Sequence, residues 1–196
     1  MKFMLKIFIT FYLFVFIQIS FPQEYDQYFP NKIFSENVKN DEFKVKWYSQ
    51  HLVSMNEPSL WKLIKSPTKE IYRLLWLRTF DSPVVIRLEI NTDSAKLFVK
   101  RTNGLGGYNA GSLIDDFKYE ISKDSISNFI DLLRSSNFWK LLANKQLFWG
   151  TDGSRWIVEG IKNGKYHLVD RYCGDEIKEL GLFLLSMSKL DYGEIY

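Results

Sequence analysis

The run GTDGSRWIVEGIKNGKYHLVDRYC, residues 150 to 173, most constrains what this chain can fold into. It reads as a complete β-hairpin. Asn163-Gly164 supplies the two positive φ angles of a type I′ turn, and β-forming residues flank it on both sides. A two-residue turn also fixes the register. Lys162 faces Lys165, Ile161 faces Tyr166, Glu159 faces Leu168, Ile157 faces Asp170, Trp156 faces Arg171, and Arg155 faces Tyr172. Side chains alternate with a period of two, so Arg155, Glu159, Asp170 and Tyr172 share one face of the ribbon. Trp156, His167 and Arg171 share the other.

That parity restricts the chemistry. His167 and Asp170 look like a base and its orienter, but three residues of strand put them on opposite faces. Glu159 and His167 are separated in the same way. Cys173 shares a face with His167, yet six residues of strand span about 20 Å, far beyond the ~3 Å needed for thiol activation. His167 therefore reads as a surface or packing residue, while His51 is free to approach any of these groups through space. Glu159 and Asp170, with Arg155 beside them, meet the spacing of roughly 5–9 Å required of a glycosidase pair. A surface ion-pair cluster is the plainer reading of the same three residues. Arg171 opposite Trp156 reads as a guanidinium resting on an indole; a bound anion or sugar is the alternative.

Elements follow along the chain. Val45, Tyr48, Leu52 and Met55 give a helical stripe from Asp41, and Pro58 suits the first turn of a short second helix through Ile64. Residues 71–80 form a continuous apolar run, expected to be a strand covered on both faces. Residues 84–91 alternate, with Val84, Ile86, Leu88 and Ile90 on one side and Arg87, Glu89 and Asn91 on the other, as in a half-buried strand. Residues 95–102 and 117–121 supply two more strands. Ser122 or Asp124 caps a helix carrying Ile126, Phe129, Ile130 and Leu133, and an apolar helix follows Gly174-Asp175.

The first twenty residues set Lys2 and Lys6 before an apolar core from Ile7 to Ile17, the pattern of a signal peptide ending near residue 22. That core is short for a membrane span. The whole chain has 26 basic and 23 acidic residues; without the leader's two lysines the balance is 24 to 23, which offers no footprint for nucleic acid. One cysteine, Cys173, permits no internal disulfide. Two histidines and one cysteine without ligand spacing suggest neither a metal nor any other cofactor.

Two features invite a ligand. The loop from Gly104 to Gly111 is glycine-rich, but phosphate cradles run from a strand into a helix, and this one runs between strands. A flexible hairpin loop is the better reading. Phe138, Trp139, Phe148 and Trp149, with Tyr108 in the glycine loop, form either an aromatic platform for glycans or peptides or a plug under the sheet; the plug is preferred.

The segments WYSQHLVSMNEPSLW (47–61), YRLLWLRTF (72–80), TNGLGGYNAG (102–111) and DGSRWIVEGIKNGKYHLVDRYC (152–173) together resemble a family of uncharacterised exported bacterial proteins. The resemblance covers most of the chain after the leader. Where that family closes its last segment with Trp and Ser-Pro, this chain has Tyr172, Cys173 and Gly174. The likeness implies export and a single domain, and supplies no activity.

The sequence thus predicts an α+β protein: a signal peptide over 1–22, a loosely ordered arm over 23–40, and one domain over 41–196. Its antiparallel sheet has about six strands, with helices packed mainly on one face. The expected activity is non-catalytic binding of a protein or glycan of the cell envelope, in the periplasm or outside the cell. The binding candidates are Arg155, Trp156, Glu159, Asp170, Arg171, Trp139, Trp149 and Tyr108. The alternatives are a glycan or peptide hydrolase using Glu159 and Asp170, and a secreted inhibitor or accessory subunit docking through the final helix.

Overall fold

A computed structural model describes residues 28–65, 69–92, 94–145 and 152–196. The expected signal peptide, Phe148 and Trp149 lie outside the described residues. Six strands form one antiparallel sheet: β1 (Glu70–Arg78), β2 (Val84–Ile90), β3 (Ala95–Thr102), β4 (Leu113–Ile121), β5 (Ser154–Lys162) and β6 (Lys165–Tyr172). Their order is β4-β3-β2-β1-β5-β6. The first four strands make a meander, and the β5–β6 hairpin adds to the free side of β1. This places β1 inside the sheet, so its unbroken apolar run is buried from Ile71 to Arg78.

Helices cover both sheet faces. The helices α2 (Lys123–Ser135) and α3 (Lys178–Met187) share one face, where Phe129, Leu133, Leu180 and Leu184 meet Tyr72, Leu74, Trp76, Ile86 and Val158. Ser122 caps α2 by accepting the Ser125 N–H at 3.2 Å. The helix α1 (Val38–Ser54) lies on the opposite face, where Tyr48 and Leu52 pack against Leu75, Val85, Ile157 and Leu168. Two of the three helices thus lie together as expected, and α1 makes the fold three layers deep. The short second helix expected after Pro58 is a 3-10 turn over Trp61–Lys65.

The segment before α1 is not a loose arm within the described residues. The Asp41 carboxylate accepts the backbone N–H groups of Lys32 and Phe34, both at 2.8 Å, and of Ser35 at 3.3 Å. These bonds turn the chain so that Phe29 and Phe34 enter the core, their rings 5.1 Å apart edge to face. Sequence periodicity missed this because an Asp-centred turn has no period. The helix itself starts three residues earlier than the apolar stripe suggests, capped by Asn37.

The tightest layer contact is between α3 and β5. A Cβ at Gly181 would stand 2.4 Å from Cε3 and Cζ3 of the fully buried Trp156 indole. Gly181→Ala, ordinarily favourable in a helix by about 1 kcal/mol, is expected instead to destabilise by roughly 1–3 kcal/mol, because a rigid ring between layers has no room to yield. The urea midpoint of the variant measures the sign.

Candidate functional site

The hairpin forms in the register its turn dictates, with Asn163 at φ 51° and Gly164 at φ 70°. Arg155, Glu159 and Asp170 therefore do share a sheet face. That face, however, points under α1 and not into water.

Asp170 is fully buried and gathers three donors from two elements. Its Oδ2 accepts from Lys44 Nζ at 2.8 Å and from the Tyr48 hydroxyl at 3.1 Å, both on α1. Its Oδ1 accepts from the Arg155 guanidinium, which also donates to the Tyr48 oxygen at 3.2 Å. Lys44 reaches Asn144 Oδ1 at 3.3 Å as well, tying in the loop beyond α2. Burial lowers the Lys44 pKa, with Asp170 pulling the other way, and raises that of Tyr48 well above its ordinary value.

Glu159 belongs to a second network. Its Oε2 accepts from Arg73 Nε at 2.7 Å, and its Oε1 accepts from the Tyr166 hydroxyl at 2.9 Å. Arg73 reaches on to the Pro58 carbonyl at 2.6 Å and lies 3.6 Å from Glu57. Glu57 in turn meets Arg87 at 2.8 Å and Lys100 at 3.2 Å, and Lys100 donates to the Met55 carbonyl at 2.8 Å. Burial lifts the Glu159 carboxyl above its ordinary range against the pull of Arg73. A raised carboxyl beside a cleft would be an acid candidate, but Glu159 and Asp170 each have no exposed surface, and both are neutralised by cations. The expected surface ion-pair cluster is two buried ones. The polar face of β2 is buried for the same reason, since Arg87 sits beneath Glu57 and not in solvent.

On the opposite face the expected stacking is replaced by other contacts. Arg171 donates to Glu176 at 2.6 Å and to the carbonyls of Leu142 and Asp170 at 3.0 and 2.9 Å, so it braces a loop. Trp156 donates to Ser154 Oγ at 2.8 Å and packs on Trp76 at 5.3 Å. The guanidinium over an indole is that of Arg78, 4.2 Å from the Trp76 ring. His167 lies between Phe138 at 5.0 Å and Trp139 at 5.8 Å, and burial lowers its pKa. Phe138 is fully buried and Trp139 is packed against the core, which is the plug arrangement.

The glycine loop joins β3 to β4 and is tied down. Gly106 N–H donates to the Asp81 carbonyl at 3.0 Å, Gly107 N–H to Thr79 at 3.1 Å, and Leu105 and Asn109 exchange backbone bonds. The amides that would cradle a phosphate are thus engaged within the protein. A Cβ at Gly106 would lie 2.4 Å from the Arg78 carbonyl oxygen, so only glycine lets the loop sit this close to β1.

Two aromatic pairs flank that loop, with three of their four rings exposed. Tyr108, 61% exposed, lies 6.0 Å from Phe80, 55% exposed. Phe43, 60% exposed, lies 5.8 Å from Trp47, whose indole N–H donates to the Gly106 carbonyl at 2.8 Å. Of these four rings only Tyr108 belongs to the expected aromatic platform. Phe43 stands off the apolar stripe of α1, the only signal that could have marked it. One turn along from Trp47, the buried His51 ring makes no full hydrogen bond; burial drops its pKa to about 4, against a weak opposing pull from the Gly106 backbone.

Among the described residues no group of three or more His, Cys, Asp or Glu could hold a metal, and no helix is long and apolar enough to cross a membrane. No family model matches the chain, and no curated protein matches it.

Two outcomes are expected. Asp170→Asn leaves Lys44 and Arg155 buried without a counter-charge, and should lower unfolding free energy by about 3–5 kcal/mol in a denaturant titration. The His51 pKa is 6.5 ordinarily and about 4 when folded, so the unfolded chain binds the extra proton and stability falls as pH drops through that window. His51→Leu should flatten this part of the pH–stability curve, which amounts to about 3 kcal/mol in the parent at about 1.4 kcal/mol per unit.

Proposed function

We propose that the chain is an exported, non-catalytic binding module that meets a protein or glycan of the bacterial cell envelope, in the periplasm or outside the cell. The contact surface is the set of aromatic side chains around the glycine loop. The observation that carries this reading is the Phe80–Tyr108 pair, more than half exposed yet seated beside a loop whose N–H groups from Leu105 to Asn109 are all hydrogen-bonded to backbone carbonyls. Single exposed apolar residues need no explanation, but paired rings on a fixed loop are preorganised for contact and lose little entropy on binding. The leader at 1–22 and the resemblance of four segments to exported bacterial proteins support the location.

The other two readings draw less support. A hydrolase needs carboxylates that reach substrate, and Asp170 lies fully buried beneath α1 while Glu159 lies fully buried against Arg73, itself bonded to the Pro58 carbonyl after that helix. An accessory subunit docking through α3 needs an apolar outer face, whereas Leu180, Leu184 and Leu185 are buried.

Co-sedimentation with isolated envelope fractions and with purified peptidoglycan sacculi tests the proposal. Phe80→Ala/Tyr108→Ala should weaken binding about tenfold or more with an unchanged circular dichroism spectrum. Equal binding by parent and variant overturns the assignment of this surface.

A further inference from the structure

The two edges of the sheet are treated differently. The outer edge of β6 is covered around Asp170: its N–H donates to the Ala143 carbonyl at 2.8 Å, Asn144 bridges to Asp170 in parallel, and Arg171 holds the same loop by its carbonyls. The outer edge of β4 has no such cover. Among the described residues no segment pairs with it, although it is nine residues long and carries Ile114 and Phe117, 52% and 42% exposed. A long open edge is a template for strand addition unless its side chains forbid it.

We infer that β4 is a self-association edge, which joins a second copy of this chain across a two-fold axis to make one continuous antiparallel sheet. The pattern of charge on β4 selects that occupant. A two-fold axis perpendicular to the sheet keeps each face on its own side, so opposed residues must have like parity and the axis must pass through a residue. Centred on Asp116, the strand sets that carboxylate against itself. Centred on Lys118, it sets two ammonium groups together and Asp116 against Glu120. Centred on Phe117, Asp116 faces Lys118 of the second copy, Lys118 faces its Asp116, Phe117 faces Phe117 and Asp115 faces Tyr119, a run that stops short of the register shift between Leu113 and Asp115. A slide to Tyr119 also matches Lys118 with Glu120, but sets Asp116 beyond the end of the second copy's strand.

Charges on an edge strand commonly serve to repel neighbours. Here they are exposed, alternate in sign about an aromatic residue, and complement themselves in the register centred on Phe117. Asp116 and Lys118 face the α1 side, where Lys118 also rests 5.3 Å from the Phe98 ring. Phe117 and Tyr119, with centroids 6.2 Å apart, face the α2 side, so the pairing would put four rings together there.

Sedimentation velocity over a concentration series tests this on the purified chain. The parent should show a monomer–dimer equilibrium. Asp116→Lys and Lys118→Asp, each placing like charges opposite each other twice, should each raise the dimer dissociation constant about tenfold or more. Mixing these two variants should restore dimers as a heterodimer, and the double variant Asp116→Lys/Lys118→Asp should dimerise like the parent. The restoration arms separate pairing from misfolding, because a chain that folds poorly is not rescued by another such chain. A parent that stays monomeric throughout overturns the inference, as do single variants that dimerise like the parent or a mixture that fails to associate. The envelope-binding assay reads a different surface, so either proposal can fail alone.

Discussion

One buried carboxylate organises this molecule. Asp170 sits beneath α1 and accepts from Lys44, Tyr48 and Arg155, so a single acid ties a helix to two strands. Taking these charges out of water is costly and is offset only when the geometry is good and further hydrogen bonds engage the acid. Here both carboxylate oxygens accept from buried or half-buried donors. The outcome is a fixed seat for α1, and with it for Trp47, whose indole clamps the glycine loop at Gly106. The exposed rings beside that loop inherit their positions from an ion cluster under the adjoining face of the helix.

The second network extends the same logic toward β2 and β3. Arg73, Arg87 and Lys100 lie on three adjacent strands, and Glu57, in the turn after α1, meets all three. A hydrophobic layer could pack a helix on a sheet at many angles. Directed ion pairs at both ends of α1 allow few.

Local geometry was legible in the sequence, and what covered it was not. The Asn163-Gly164 turn dictated the hairpin register, and with it the separation of His167 from Glu159 and Asp170. The run at 71–80 implied a strand with both faces hidden, which holds from Ile71 to Arg78; Phe80 lies past the strand's end and is exposed. The polar residues of β2, β5 and β6 were misjudged because alternation tells which residues share a face, not whether that face is wet. Only a partner distant in sequence decides that: Glu57 lies 30 residues before Arg87, and Lys44 lies 126 residues before Asp170. The aromatics differ for the same reason: Trp139 packs against the core, Phe80 of the expected buried run is exposed, and no periodicity marks an outward-facing ring such as Phe43.

The hidden charges also change what the molecule shows to its surroundings. Among the described residues Lys44, Arg73, Arg78, Arg87, Lys100 and Arg171 are buried, against Asp41, Glu57, Glu159 and Asp170, so six cations and four anions are withdrawn from contact with water. The wetted surface of the described residues is therefore two charges more acidic than their composition states. Isoelectric focusing, which counts every ionised group, and retention on an ion exchanger, which meets only the outer ones, should rank this protein differently among its peers.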